Sequence, residues 1–162
     1  MRGKIAIAAG IATLALIYSV CLARSVQVFD YDKMAVDANL VVIATPVATK
    51  ELEERTDLPG VRNGNQPLRV VGIETTFEVS VCFKGKLSTT KKPKIVLHHY
   101  RLEDPNLAEG PNAVSLLHFK PGDRSQYLMF LKRAEDGRYV PYNGQTDPIY
   151  SVEKLRNQKM AD

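Results

Sequence analysis

The chain has 162 residues, with 22 Lys and Arg against 18 Asp and Glu, three His, two Cys and no Trp. The net charge of +4 is small, and half of it comes from Arg2 and Lys4, so neither nucleic acid nor an acidic membrane is required as a partner. Two cysteines, Cys21 and Cys82, are too few for a disulfide framework.

Arg2 and Lys4 precede an uncharged run from Ile5 to Ala23, closed by Arg24. A basic start, an apolar middle and small residues near the end make up an export signal, with cleavage expected after Ala23. The same run almost reaches the roughly 20 residues that span a bilayer, so an uncleaved anchor through residues 5–23 is the alternative. A lipidated Cys21 is a third reading, weakened by Val20 just before it. The cations before the run place the remainder outside in every case. Absence of any Asn-x-Ser/Thr sequon suits a bacterial envelope. The expected location is periplasmic or secreted, with a membrane tether left open. Loss of Cys21 would leave Cys82 alone, read as a small packed hydrophobe.

Residues 24–37 form a lead-in, as a strand or a short helix. The domain proper is expected over 38–156, with a frayed tail at 157–162. Leu40-Val41-Val42-Ile43-Ala44 reads as a buried strand ending at an edge or bulge near Pro46. Residues 51–67 are polar and carry Pro59-Gly60 and Asn63-Gly64, so a long loop is expected, with a helical turn at its start. From Ile73 to Phe83 the odd positions Ile73, Thr75, Phe77, Val79, Val81 and Phe83 alternate with mostly polar ones, the pattern of a strand with one core face. Strands are expected next at 94–101, 114–119, 126–132 and 138–142. Pro121-Gly122 and Asp136-Gly137 supply turns between them. Ser151 is a candidate cap for a short helix from Val152 to Arg156.

Three histidines are the first candidates for chemistry. His98 and His99 are adjacent in a strand and point to opposite faces, so one metal ion cannot take both. His118, in the next segment, is a candidate partner for one of them. No His-Glu-x-x-His or paired-cysteine motif supports zinc, and no cofactor is expected. Nucleophile elbows and phosphate-binding glycine loops are absent. Tyr139 and Tyr142, with Lys91 and Lys92 of the basic link, are the candidate partner surface. The basic link lacks the interleaved aromatics that single-stranded nucleic acid needs.

An apolar first strand, a long second strand ending Phe83-Lys84-Gly85, and Pro121-Gly122-Asp123 before Tyr127-Leu128-Met129-Phe130-Leu131 follow one another in that order. This order resembles the netrin-module and tissue-inhibitor-of-metalloproteinases-like group of exported proteins. The resemblance implies an all-β fold: a small OB-like Greek-key barrel of five to six strands with one or two short peripheral helices, after the N-terminal apolar helix. It supplies no inhibitory residue, because the N-terminal Cys of those inhibitors has no counterpart here. The expected function is that of a non-catalytic binding or interaction module of the bacterial envelope, meeting a protein or small ligand. An envelope hydrolase, or a metal or small-ligand carrier using the histidines, are the alternatives.

Overall fold

The computed structural model describes residues 30–63, 65–108, 115–145 and 151–155. The export segment, Val114, the Asp147-Pro148 pair and the tail lie outside the described residues. The lead-in resolves into one helix, α1 (Tyr31–Asp37). Its cap is Asp30, whose Oδ1 accepts from the backbone N–H of Asp32 at 2.9 Å. Seven residues cannot hold a helix alone. Met34 anchors it by packing, fully buried, with Ala38, Val41 and Phe130. At the other end Lys84 Nζ donates to the carbonyls of Ala35 and Val36, a cation where the helix dipole favours one.

Among the described residues six strands follow in one sheet: β1 (Leu40–Asn63), β2 (Gln66–Lys84), β3 (Lys94–Leu102), β4 (Gln126–Arg133), β5 (Tyr139–Pro141) and β6 (Val152–Leu155). Their order is β1-β2-β3-β5-β4-β6, and β4 also pairs with β1. The OB-like Greek-key barrel expected from the sequence is therefore corrected to a mixed, non-barrel sheet with, among the described residues, a single α-helix. Two features account for the difference. The link between β3 and β5 is parallel and rests on one residue pair, Leu97↔Tyr139, so no continuous ladder runs through it. The β1–β2 pair is far longer than its neighbours and runs past them as a two-stranded arm.

That arm occupies the stretch expected to be a long loop. Residues 51–63 continue β1 and pair with the start of β2. Two irregularities absorb the turn-forming residues. Between Glu51 and Arg55, β1 advances four residues while β2 advances two, from Ile73 to Val71. Between Asp57 and Arg62 it advances five against two, and Pro59-Gly60 falls there, with Gly60 at φ +74°. Pro46 does not end the strand either: it is buried opposite Phe77, and Val47 bulges beside it.

The core face of β2 holds from Ile73 to Val79 and then fails. Val81 is 41% exposed and Phe83 63% exposed. One-residue bulges at Ser80 and Phe83 shift the register against β1 and turn the expected core positions outward. Cys82 lies in this exposed stretch as a free thiol, not packed as expected. The main core lies between the folded-over parts of the sheet. It gathers Leu40, Val42, Phe77, Leu97, Met129 and Leu131 around an aromatic group in which Phe119 meets Phe77 edge-on at 4.9 Å and Tyr127 at 5.1 Å.

The expected C-terminal helix is a strand. Val152–Leu155 pairs antiparallel with β4, Val152 opposite Met129. Ser151 does not cap a helix: its N–H donates to Asn143 Oδ1 at 3.2 Å, and its carbonyl receives Phe130 N–H at 2.7 Å. Four residues are too few to nucleate a helix, and β4 offers them a row of backbone partners.

Candidate functional site

Strand β3 places His98 and His99 back to back. Both are buried, at 4% and 3% exposure, yet their surroundings share almost nothing.

His98 faces the arm. Its Nε2 lies 3.0 Å from Glu54 Oε2, while the Tyr100 hydroxyl donates to Glu54 Oε1 at 2.7 Å. Arg138 Nη1 stands 3.6 Å from the same carboxylate and also binds Asp136. The Tyr100 hydrogen bond is the chief reason that Glu54 holds its proton less tightly than usual, with His98 and Arg138 adding to it and burial opposing. Burial, and then the bond to Glu54, push the Tyr100 phenol up to about 12. Gly72, opposite Tyr100 in the ladder, makes room for this cluster. A Cβ there would come within 3.0 Å of Glu54 Oε2 and 3.1 Å of its Cβ.

His99 faces the other way, into an apolar cavity of about 460 Å³. Ile73, Leu102, Leu116, Leu117 and Phe119 supply its apolar walls, and Thr49, His118 and Ser115 add polar groups. A side-chain relay runs from Thr49 to Thr75 at 3.2 Å and from Thr75 to His99 Nε2 at 2.9 Å. Phe119 stacks edge-on against the imidazole at 5.1 Å. Burial is the main cause that lowers the His99 pKa to about 4, with the charges of His98 and His118 adding to it and the Tyr100 backbone pulling the other way. The ring is therefore neutral at ordinary pH. Its Nδ1 has no hydrogen-bond partner among the described residues.

Glu51 and Arg101, which line the cavity, are matched to each other and open a chain of ion pairs. Glu51 binds Arg101 at 2.5 Å and Arg55 at 2.9 Å. Glu103 bridges Arg55 and Arg69, and Arg69 reaches Asp57. Three arginines and three carboxylates thus alternate along one chain of contacts.

The other residues singled out in the sequence are dispersed. His118 is exposed and shares the cavity with His99. Among the described residues no group of three or more His, Cys, Asp or Glu side chains is placed to hold a metal ion. Tyr139 packs against the main core and lines a polar groove with Lys94 and Arg138. Tyr142 belongs to the cluster under α1, where its hydroxyl donates to Asp37 at 3.0 Å and Lys132 lies over its ring. Lys92 pairs with Glu78 at 3.0 Å on the surface, and Lys91 is exposed in the link before β3.

Glu54, Tyr100, Thr49 and Thr75 escaped sequence reasoning. Two signals for them were present. Leu52, Glu54, Thr56 and Leu58 alternate with more exposed residues, a strand period obscured by the charge on Glu54. Gly72 inside a strand marks a place where another group comes close.

No known protein family matches the chain, and no curated protein is similar to it. Together with the mixed, non-barrel sheet, this corrects the resemblance to the netrin-module and metalloproteinase-inhibitor group.

Proposed function

We propose that this chain is an exported, non-catalytic binding module of the bacterial envelope, and that its ligand site is the cavity under β3. One observation carries the reading: a mostly apolar hollow of about 460 Å³ bounded by the described residues. That volume lies within the roughly 300–1,000 Å³ of small-molecule sites, which pair apolar walls with a few fixed polar groups. A core that packed only for stability would close such a space, since unfilled volume forfeits dispersion contacts.

The opposite face supports binding chemistry less well. Glu54, His98 and Tyr100 satisfy one another. The uncharged run 5–23 supports export, and the expected compartment outside the cytoplasmic membrane follows from it.

Two measurements test the proposal. Phenylnaphthylamine, an uncharged dye that brightens in apolar sites, should bind the purified protein in a one-to-one ratio. Ser115→Trp, at the exposed mouth, should abolish that binding without lowering stability. A dye that ignores the protein would end the cavity reading. Mass spectrometry of protein recovered from the envelope should show a mature N terminus after Ala23, or an intact chain in the membrane fraction. Recovery in the cytoplasm would end the export reading.

A further inference from the structure

The outer edge of β3 is open over its first three residues. We propose that this edge is a docking site for an acidic segment of a partner protein, which joins the sheet there as an added strand. The site shares no lining residue with the cavity and stands independently of the cavity reading.

The register shows which backbone groups are free. In an antiparallel pair the N–H and C=O of one residue face the same neighbour, and successive residues alternate sides. Val79 N–H donates to the Pro93 carbonyl at 2.9 Å, so the odd-numbered residues of β3 face β2. The even-numbered residues face away, as does Tyr100, whose N–H donates to Gln145 Oε1 at 2.6 Å. On that outer side β5 meets β3 only at Leu97↔Tyr139. Leu97 spends its own groups on β2, so this parallel bridge draws on the Val96 carbonyl and the His98 N–H. The N–H and C=O of Lys94 and the N–H of Val96 are left without a partner among the described residues. An open row of this kind is a template for another strand, and native sheets usually cover it.

There is room for one. A groove of about 550 Å³ runs between Lys94–Val96 and the hairpin that joins β4 to β5. Its charge selects the occupant. Lys86, Lys94, Arg133 and Arg138 line it against Glu74 and Asp136. Asp136 is held by Arg138 at 2.7 Å, and Arg138 also reaches Glu54. Lys86, Lys94 and Arg133 are exposed and make no ion pair among the described residues, which leaves three cations facing Glu74. Carboxylates on an incoming strand meet this surplus, and cations are repelled. Val96 is 41% exposed and shares a face with Lys94, so an apolar side chain next to an acidic one also finds a contact.

A labelled peptide of repeating Glu-Val tests the proposal against the purified protein by fluorescence anisotropy and amide exchange. It should bind about tenfold more tightly than a Lys-Val peptide, the factor that about 1.4 kcal/mol confers. Bound peptide should slow exchange of the Val96 and Lys94 amides and leave that of Ile95, which faces β2, unchanged. Val96→Pro removes an N–H that no native bond uses, so the fold should survive while affinity falls about tenfold. If the proline variant does not fold, peptides N-methylated at the valines or at the glutamates serve instead. One of the two should lose about tenfold more affinity than the other, because only alternate N–H groups face β3. Lys94→Glu combined with Arg133→Glu should abolish binding. Equal binding of the Glu-Val and Lys-Val peptides, an unprotected Val96 amide, or full binding by Val96→Pro overturns the proposal. Tighter binding of dextran sulfate or of phosphatidylglycerol vesicles than of the Glu-Val peptide overturns it too, in favour of a polyanion or a membrane surface.

Discussion

His98 and His99 are consecutive residues of one strand, equally buried, and they lead opposite lives. His98 sits in a polar cluster where Glu54, Tyr100 and Arg138 satisfy one another. His99 sits among hydrocarbon with one nitrogen bound and the other unmatched. The contrast shows how little a residue type says about its role. On one face a carboxylate supplies a partner for the ring. On the other, desolvation holds the ring neutral among mostly apolar side chains. Glu51 lines the cavity and Glu54 joins the polar cluster because, three positions apart on one strand, they point to opposite faces.

The sharpest way to break the comparison is to remove the wall behind His99. Phe119 is 3% exposed and touches Phe77, Tyr127 and His99 edge-on. Phe119→Ala should cost about 3–5 kcal/mol in urea unfolding, the loss of transfer energy plus the cavity it leaves. A cost near 1 kcal/mol would mean that the segment carrying Phe119 is not part of the core.

Next in size is the response to acid. His99 has a folded pKa of about 4, below its unfolded value near 6.5, so the unfolded chain binds the extra proton first. Its contribution is neutral above pH 6.5 and turns against folding as pH falls toward 4, by roughly 2–4 kcal/mol in all. Wild-type stability should therefore drop more steeply than that of His99→Phe between pH 6.5 and 4. The difference between the two curves isolates this ring from the carboxylates that titrate in both. Parallel curves would show that His99 is as wet as an ordinary surface histidine.

The polar face has its own test. Gly72→Val should displace Glu54 and cost about 1–3 kcal/mol through overcrowding. The same change should let the Tyr100 phenol ionise closer to 10, though still above it, because burial remains the larger cause. Since the folded phenol holds its proton more tightly than the unfolded one, wild-type stability declines as pH rises from 10 to 12, and the variant should lose less over that window. Phenolate absorbance during a base titration reads the shift directly.

Much of this arrangement was legible in the sequence, and the exceptions have physical causes. The opposed histidines followed from the two-residue period of a strand, and so did the core positions Phe77 and Val79. Val81 and Phe83 broke the period because bulges cannot be seen without the partner strand. The arm 51–63 read as a loop because its inward face mixes Leu52 and Leu58 with Glu54 and Thr56, and because Pro59-Gly60 serves equally well in a turn and in an irregular stretch. Helix was expected at 152–156 from a serine cap, but β4 supplied four strand pairs there. The cavity was invisible because its walls come from β1, β2, β3 and the 115–119 segment, which only tertiary pairing brings together. Closure into a barrel was expected from the order of strands, but order does not fix how many residue pairs join each neighbour, and β3 meets β5 at one.

The smallest expected effect separates two carboxylates that look alike on paper. Glu103 and Glu54 each contact arginine, Glu103 on the surface just past β3 and Glu54 beneath the arm. Glu103 is 43% exposed, its contacts are 3.5–3.7 Å long, and water can replace either arginine. Glu103→Gln should change stability by no more than about 0.5 kcal/mol, and added salt should erase the difference. Glu54 accepts two short hydrogen bonds from groups that are themselves buried or half-buried, at 2.7 and 3.0 Å. Glu54→Gln should cost about 1–2 kcal/mol and keep that cost in salt, because it weakens charge-assisted bonds that water cannot easily replace. Equal effects of the two substitutions would mean that the polar cluster under the arm is solvated like the surface, and that the two faces of β3 differ in apolar content alone.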